Sequence, residues 1–237
     1  MSRVALCISG HFRSYEQAYS SLKKAILNPI RPDIFIFTWN TVGYDGADRG
    51  DNHLVKVPIN QHRLQQLFAP KQMVIEPARV WDTRKYAHRL GSGLRTPYNV
   101  NGMFYGIYKA NQLKKEFEKK HNFTYDIVIR GRADLLFNNL LNMNDIENCK
   151  NTNGIYFPKF GSYGGINDQF AFGSSKSMDL YAETYNNLDK YFDMGCLWHA
   201  ETMMKFSVDY FELPILRTDI EYHILRANGR VFQLARE

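Results

Sequence analysis

The chain has 237 residues, 44% of them hydrophobic and 23% charged, with a formal charge of +6. These values suit one large α/β domain or two small ones, and the reading taken here is a single domain over residues 1–237. They exclude a membrane-spanning segment, since no apolar run approaches the roughly 20 residues needed, and a basic nucleic-acid tail, since no dense Lys/Arg block occurs.

Residues 4–8 form a short apolar run, read as the first strand; Cys7 falls inside it as plain core. The run is too short for a signal peptide. Together with three widely separated cysteines and no Cys-x-x-Cys pair, this points to a reducing, cytoplasmic setting without a disulfide framework. Ser9-Gly10-His11-Phe12-Arg13-Ser14 follows, and a helix is expected from about residue 15 to 27. Strand, glycine turn and helix form a layout that binds phosphate, because the first N–H groups of a helix are unpaired. Gly10 allows close backbone approach and Arg13 has the reach for a diphosphate. One glycine is also compatible with an ordinary turn between strand and helix.

Residues 34–39, Ile-Phe-Ile-Phe-Thr-Trp, form a second buried strand after a tight connection over 28–33. Residues 40–58 are polar, with Gly43, Gly46 and Gly50, and read as a loop over the carboxyl edge of the sheet or as a surface insertion. A helix over 60–68, a strand over 72–76 and a long Arg-rich connection over 79–97 come next. From 99 to 120, Met103, Ile107, Ala110, Leu113 and Phe117 recur at helical spacing. Lys114, Lys115, Lys119 and Lys120 are assigned to the solvated face of that helix.

Residues 125–137 read Tyr-Asp-Ile-Val-Ile-Arg-Gly-Arg-Ala-Asp-Leu-Leu-Phe. The β-branched run suits a strand buried on both faces. Arg130, Arg132 and Asp134 occupy alternate positions, so an extended chain puts all three on one side. Buried charges at a strand end need a ligand, a metal or one another, and the carboxyl ends of strands are where open α/β sheets bind ligands. An Arg–Asp pair closing the strand is the alternative.

Beyond a polar stretch to residue 153 and the run Gly154-Ile155-Tyr156-Phe157-Pro158, a Gly-Gly loop at 164–165 leads into Asn167-Asp168-Gln169 and a short apolar strand. A helix with Met178, Tyr181, Tyr185 and Leu188 on one face follows, and Trp198-His199-Ala200-Glu201 opens another. The end reads as two short strands or a strand plus tail. Strands alternating with helices predict a mainly parallel central sheet flanked by helices.

In their order, residues 4–13, 33–39, 125–134, 167–173 and Glu201 resemble a small glycosyltransferase of the GT-A type. They are similar to enzymes of large algal viruses and bacterial polysaccharide loci. The resemblance implies a nucleotide-diphosphate sugar donor, commonly a UDP-sugar, a glycan acceptor hydroxyl and a divalent cation, Mn²⁺ or Mg²⁺. GT-A enzymes usually carry Asp-x-Asp at a strand end for the metal; here the triplet is Arg132-Ala133-Asp134. Asp134 is then the metal ligand, with His223 completing the site from the C-terminal end. Alternatively, the enzyme is metal-independent and its arginines neutralise the diphosphate, with His223 a surface or core residue. Ser9, Gly10, Arg13, Arg130, Arg132 and Trp39 are the expected donor-binding residues. Trp39, Tyr163 and Trp198 have faces suited to stacking on a sugar or base, or to core packing.

Asp168 and Glu201 are the candidate general bases. Asp168 has sugar-hydroxyl binding as its other role, and Glu201 a favourable charge at a helix start. Three rivals stand beside the enzyme: a sugar- or nucleotide-binding domain on the same fold, a nucleic-acid binder suggested by pI near 9.1, and a Rossmann dehydrogenase. The second lacks a recognisable motif and the third its glycine fingerprint.

Overall fold

A computed structural model describes residues 2–43, 56–91 and 98–235. Its frame is a seven-stranded sheet in the order β3-β2-β1-β4-β7-β6-β8. The strands are β1 (Val4–Ser9), β2 (Asp33–Trp39), β3 (Gln72–Glu76), β4 (Ile127–Gly131), β6 (Ile155–Pro158), β7 (Ala171–Ser174) and β8 (Ile215–Thr218). Pairs β1·β2, β2·β3, β1·β4 and β6·β8 are parallel, while β4·β7 and β6·β7 are antiparallel. The protein is therefore an α/β fold with a mostly parallel central sheet. A second sheet, β10-β9-β5, is antiparallel and joins β5 (Leu135–Phe137), β9 (Tyr222–Leu225) and β10 (Val231–Phe232).

Alternation along the strands builds two cores. Ala5, Cys7, Phe35, Phe37 and Val128 face α4 (Tyr98–His121), α6 (Ser175–Ala182), α7 (Thr184–Asp193) and α8 (Ala200–Tyr210). Leu6, Ile8, Ile34, Ile36 and Ile129 face α1 (Tyr15–Leu22), α3 (Gln61–Phe68), α5 (Met143–Asn148) and the small sheet. The chain leaves β1 through α1 on one face and returns to β4 through α4 on the other. The gap between the carboxyl ends of β1 and β4 is thus a topological switch point, where open α/β sheets hold ligands.

Several expectations are corrected. The first helix does not stop at 27: a π turn at Lys23–Leu27 passes into a last turn, α2 (Asn28–Ile30). Pro29 lacks an N–H for the α ladder, so the wider turn precedes it, and Arg31 closes the helix in the left-handed region at φ 54°. The polar stretch after Phe137 contains α5, capped by the Asn142 side chain on Asn144 N–H. The single helix expected after β7 is two, breaking at Glu183. The loop read over residues 40–58, with Gly46 and Gly50, and Gly93 in the 79–97 connection, lie largely outside the described residues. Among those described, no helix is long and apolar enough to cross a membrane.

Lys114 is the sharpest correction, because it is fully buried rather than solvated. Its ammonium lies 3.0 Å from Glu118, 2.9 Å from Asp179 and 2.7 Å from the Ser175 hydroxyl, tying α4 to α6. Asp179 lies far along the chain, so helical periodicity alone shows Lys114 as one more surface charge. Lys114→Ala leaves two carboxylates facing each other with no cation. The expected loss is about 3 kcal/mol, the lower end for breaking a buried pair, since Asp179 is partly solvated. Lys119→Ala, on the exposed side, should stay within about 0.5 kcal/mol. Urea unfolding of both variants checks this, and equal losses would remove Lys114 as the link.

Candidate functional site

β4 ends at Gly131, and residues 133–134 turn before β5 begins. The extended path assumed for Arg130, Arg132 and Asp134 is therefore broken. Arg130 shares the face of Val128, among Cys7, Met178 and Tyr181, and donates to the Gln169 carbonyl. Arg132 instead folds back onto Asp134, with Nε 2.8 Å from Oδ1 and Nη2 2.6 Å from Oδ2. Arg13, from the turn after β1, adds a third contact of 3.0 Å to Oδ2. Asp134 is 1% exposed. Burial acts to raise its pKa, but the charges of Arg132, Arg13 and Arg226 outweigh it and hold the carboxyl well below the usual range.

This arrangement bears on the metal expected at Asp134. Both carboxylate oxygens are taken by guanidinium groups. His223 lies on β9 opposite Leu136, with Nε2 3.2 Å from the Asn138 amide, and is not brought to Asp134. Among the described residues no three His, Cys, Asp or Glu side chains come together as a cation site. A hard divalent ion takes carboxylate and other oxygen ligands, so the donor set here does not fit Mn²⁺ or Mg²⁺. Arg132, Arg13 and Arg226 act on Asp134, and Asp168 acts on Arg130 and Arg132.

The turn after β1 is built for close approach. Gly10 sits at φ 115°, a conformation an L side chain resists. Ser9 is buried, and Gly106 of α4 packs over it so closely that an added Cβ would meet Ser9 Cβ at 3.4 Å. Ser14 donates to the Leu225 carbonyl at 2.5 Å, and Leu225 N–H donates to the Asp134 carbonyl at 2.9 Å. The β1 turn, the β4 end and the C-terminal strand are thereby locked around Asp134. Trp39 does not present a free face: it stacks on Tyr105 with ring centroids 5.8 Å apart and meets Phe37 and Trp81 edge-on. Trp198 is fully buried and stacked on Tyr86. Tyr163 alone of the three is exposed.

Asp168 and Glu201 are brought to the same region by a backbone contact. Gly165 lies so close to the start of α8 that a Cβ there would sit 2.0 Å from the Glu201 carbonyl oxygen. Ile166 N–H donates to that same oxygen at 3.1 Å. Asn167 then fixes the next residues, its Oδ1 accepting from Gln169 N–H, Phe170 N–H and the Tyr222 hydroxyl. Asp168 emerges 6% exposed, with Oδ1 buried and without a partner. Its charge acts on Arg130, Arg132 and His199. A recess of about 290 Å³ is lined by the preceding loop residues, Gly161 to Gly165, and by Ala235.

Two members of the site escaped sequence reasoning. Arg226 sat in what read as a tail, and nothing local distinguishes it. His199 is one residue from the singled-out Glu201; its Nδ1 lies 3.3 Å from Glu201 Oε2. The His-x-Glu spacing at a helix start was the available signal.

A family profile described as a domain of unknown function (DUF7796) matches residues 1–225, and the chain belongs to that family. A search of curated proteins finds no match.

Asp134→Asn keeps the shape but removes the charge that Arg13 and Arg132 share. The expected loss is about 3–5 kcal/mol at neutral pH. Because the folded-state pKa of Asp134 is depressed, its contribution is present above the unfolded carboxylate pKa of about 4 and fades as pH falls below it. The stability difference between parent and variant should therefore be flat above about pH 5 and shrink in acid. A difference that grows in acid would contradict the ion-pair assignment.

Proposed function

We propose that this protein is a glycosyltransferase of GT-A type that moves a sugar from a nucleotide-diphosphate sugar, with UDP as the first nucleotide to test, to a hydroxyl of a glycan. One juxtaposition carries the reading: a cluster of arginines adjoins a buried carboxylate oxygen with no partner, Asp168 Oδ1, at the switch point of the sheet. Guanidinium groups suit the oxygens of a diphosphate. A buried acceptor without a donor suits a sugar hydroxyl, since an unpaired buried polar group is costly. The two chemistries side by side match a sugar joined to a phosphate.

In this reading the bond between the anomeric carbon and the diphosphate breaks with its electron pair leaving on the phosphate oxygen. The developing negative charge is met by Arg132, with Arg13 and Arg226 behind it. Arg132 gives Nε and Nη2 to Asp134, which orients the guanidinium and leaves Nη1 for the donor. Preorganised donors of this kind act without rearrangement at the moment of reaction. No step is assigned to a divalent cation. Asp168 holds a hydroxyl of the transferred sugar, and the glycine recess beside exposed Tyr163 receives the acceptor.

A thermal-shift screen of nucleotide sugars, with and without Mn²⁺ or EDTA, tests the proposal. A stabilising donor is expected, with a shift that neither addition changes. Arg132→Ala should weaken it by about 1.5–3 kcal/mol, roughly ten- to a hundredfold, the cost of a charged hydrogen bond. A donor shift that appears only with Mn²⁺ would return the neutralising role to a metal. Binding with neither transfer nor hydrolysis would favour the binding-domain reading, which the full pairing of Asp134 also suits.

A further inference from the structure

We propose that His199 takes the proton of the attacking hydroxyl, with Glu201 as its positioning residue, and that transfer inverts the anomeric centre. The assignment rests on the glycosyltransferase reading above. His199 caps α8 in an extended conformation, φ −151° and ψ 140°. Its backbone is held on both sides. Trp198 N–H donates to the Arg89 carbonyl at 2.9 Å, and His199 N–H to the Leu197 carbonyl at 2.9 Å. Gly91 packs against the ring: an added Cβ there would sit 2.4 Å from His199 Cβ. The imidazole is thus placed by packing rather than by a flexible loop, as a group that handles a proton needs to be.

The chemistry of its neighbours sets its role. Glu201 Oε2 lies 3.3 Å from Nδ1, so the neutral ring carries its proton on Nδ1 and offers the Nε2 lone pair. Burial lowers the pKa of the ring, which keeps it neutral before reaction, and the Asp168 charge opposes that effect, favouring the imidazolium once formed. Among the described residues, the charged groups facing the ring are Glu201 from α8 and Asp168 from the glycine loop, while residues 84–91 present the Gly91 backbone. Asp168 is the weaker choice for the proton. Its charge acts on Arg130 and Arg132, and neutralising it would remove that interaction from both. Its partnerless Oδ1 is suited to accept from a bound hydroxyl and stay charged.

The step balances as a direct displacement. The acceptor O–H bond breaks and its proton passes to Nε2. The acceptor oxygen bonds to the anomeric carbon from the side opposite the diphosphate. The carbon–oxygen bond to the diphosphate breaks, and the electron pair leaves with the phosphate toward Arg132. One positive charge appears on the ring and one negative charge on the leaving group. Single displacement gives inversion.

The test uses the full chain and, as probe, whichever of UDP-glucose, UDP-galactose, GDP-mannose and GDP-fucose stabilises the parent most, with water as acceptor. His199→Gln should leave the thermal shift from the probe unchanged and lower its hydrolysis about 10²–10⁴-fold, the usual worth of a positioned base. Glu201→Gln should lower hydrolysis less than His199→Gln does and move the rise of rate with pH to lower pH, because the imidazolium loses a favourable charge. A purely structural role for Glu201 leaves that midpoint in place. Proton NMR of the released sugar should show the inverted anomer first. Parent-like hydrolysis in His199→Gln, an unmoved midpoint in Glu201→Gln, or release of the retained anomer would each overturn the assignment. If no probe stabilises the parent, the glycosyltransferase reading falls and takes this one with it. If probes bind equally to parent and variants while hydrolysis is unaffected, only the His199 assignment falls.

Discussion

Two guanidinium groups share one buried carboxylate at the centre of this protein. Asp134 could not stay ionised at 1% exposure on its own, because taking a carboxylate from water costs several kcal/mol even after relaxation. Arg132 and Arg13 make the burial tolerable, and each is anchored in return. The pair also closes the chain on itself. Arg13 follows β1, Arg132 and Asp134 follow β4, and the Asp134 carbonyl accepts from Leu225 at the end of β9. Three segments more than ninety residues apart along the chain meet at that one side chain.

Further arginines gather by the same packing. Arg226 enters with the C-terminal strand and acts on Asp134, while Arg130 sits on the other core and feels the charge of Asp168.

A second constraint is purely steric. The Gly165 backbone rests on the Glu201 carbonyl, and no other residue has room there. That contact presses the glycine loop onto the start of α8, which puts Asp168, His199 and Glu201 in one neighbourhood beside the arginines. The two halves of the site are therefore assembled by different means, one by charge pairing and one by backbone contact. Arg132, which feels both Asp134 and Asp168, is where they join.

The strands were legible because burial on both faces leaves continuous apolar runs, as in residues 4–8, 34–39 and 127–129. The amphipathic α4 and the glycine turn after β1 were legible for equally local reasons. Arg13, Arg132, Asp134 and Asp168 were also conspicuous, since charges at strand ends and after glycine loops stand out against an apolar pattern. What those charges do to one another was decided only by tertiary structure. Whether Asp134 meets a cation or an arginine depends on a turn at 133–134 and on Arg13, over a hundred residues away. Lys114 looked solvated because its partner Asp179 is distant in sequence, and Arg226 and His199 meet their charged neighbours only when the C-terminal strand and α8 dock. Hydrophobic periodicity is a property of neighbours along the chain; charge pairing is a property of neighbours in space.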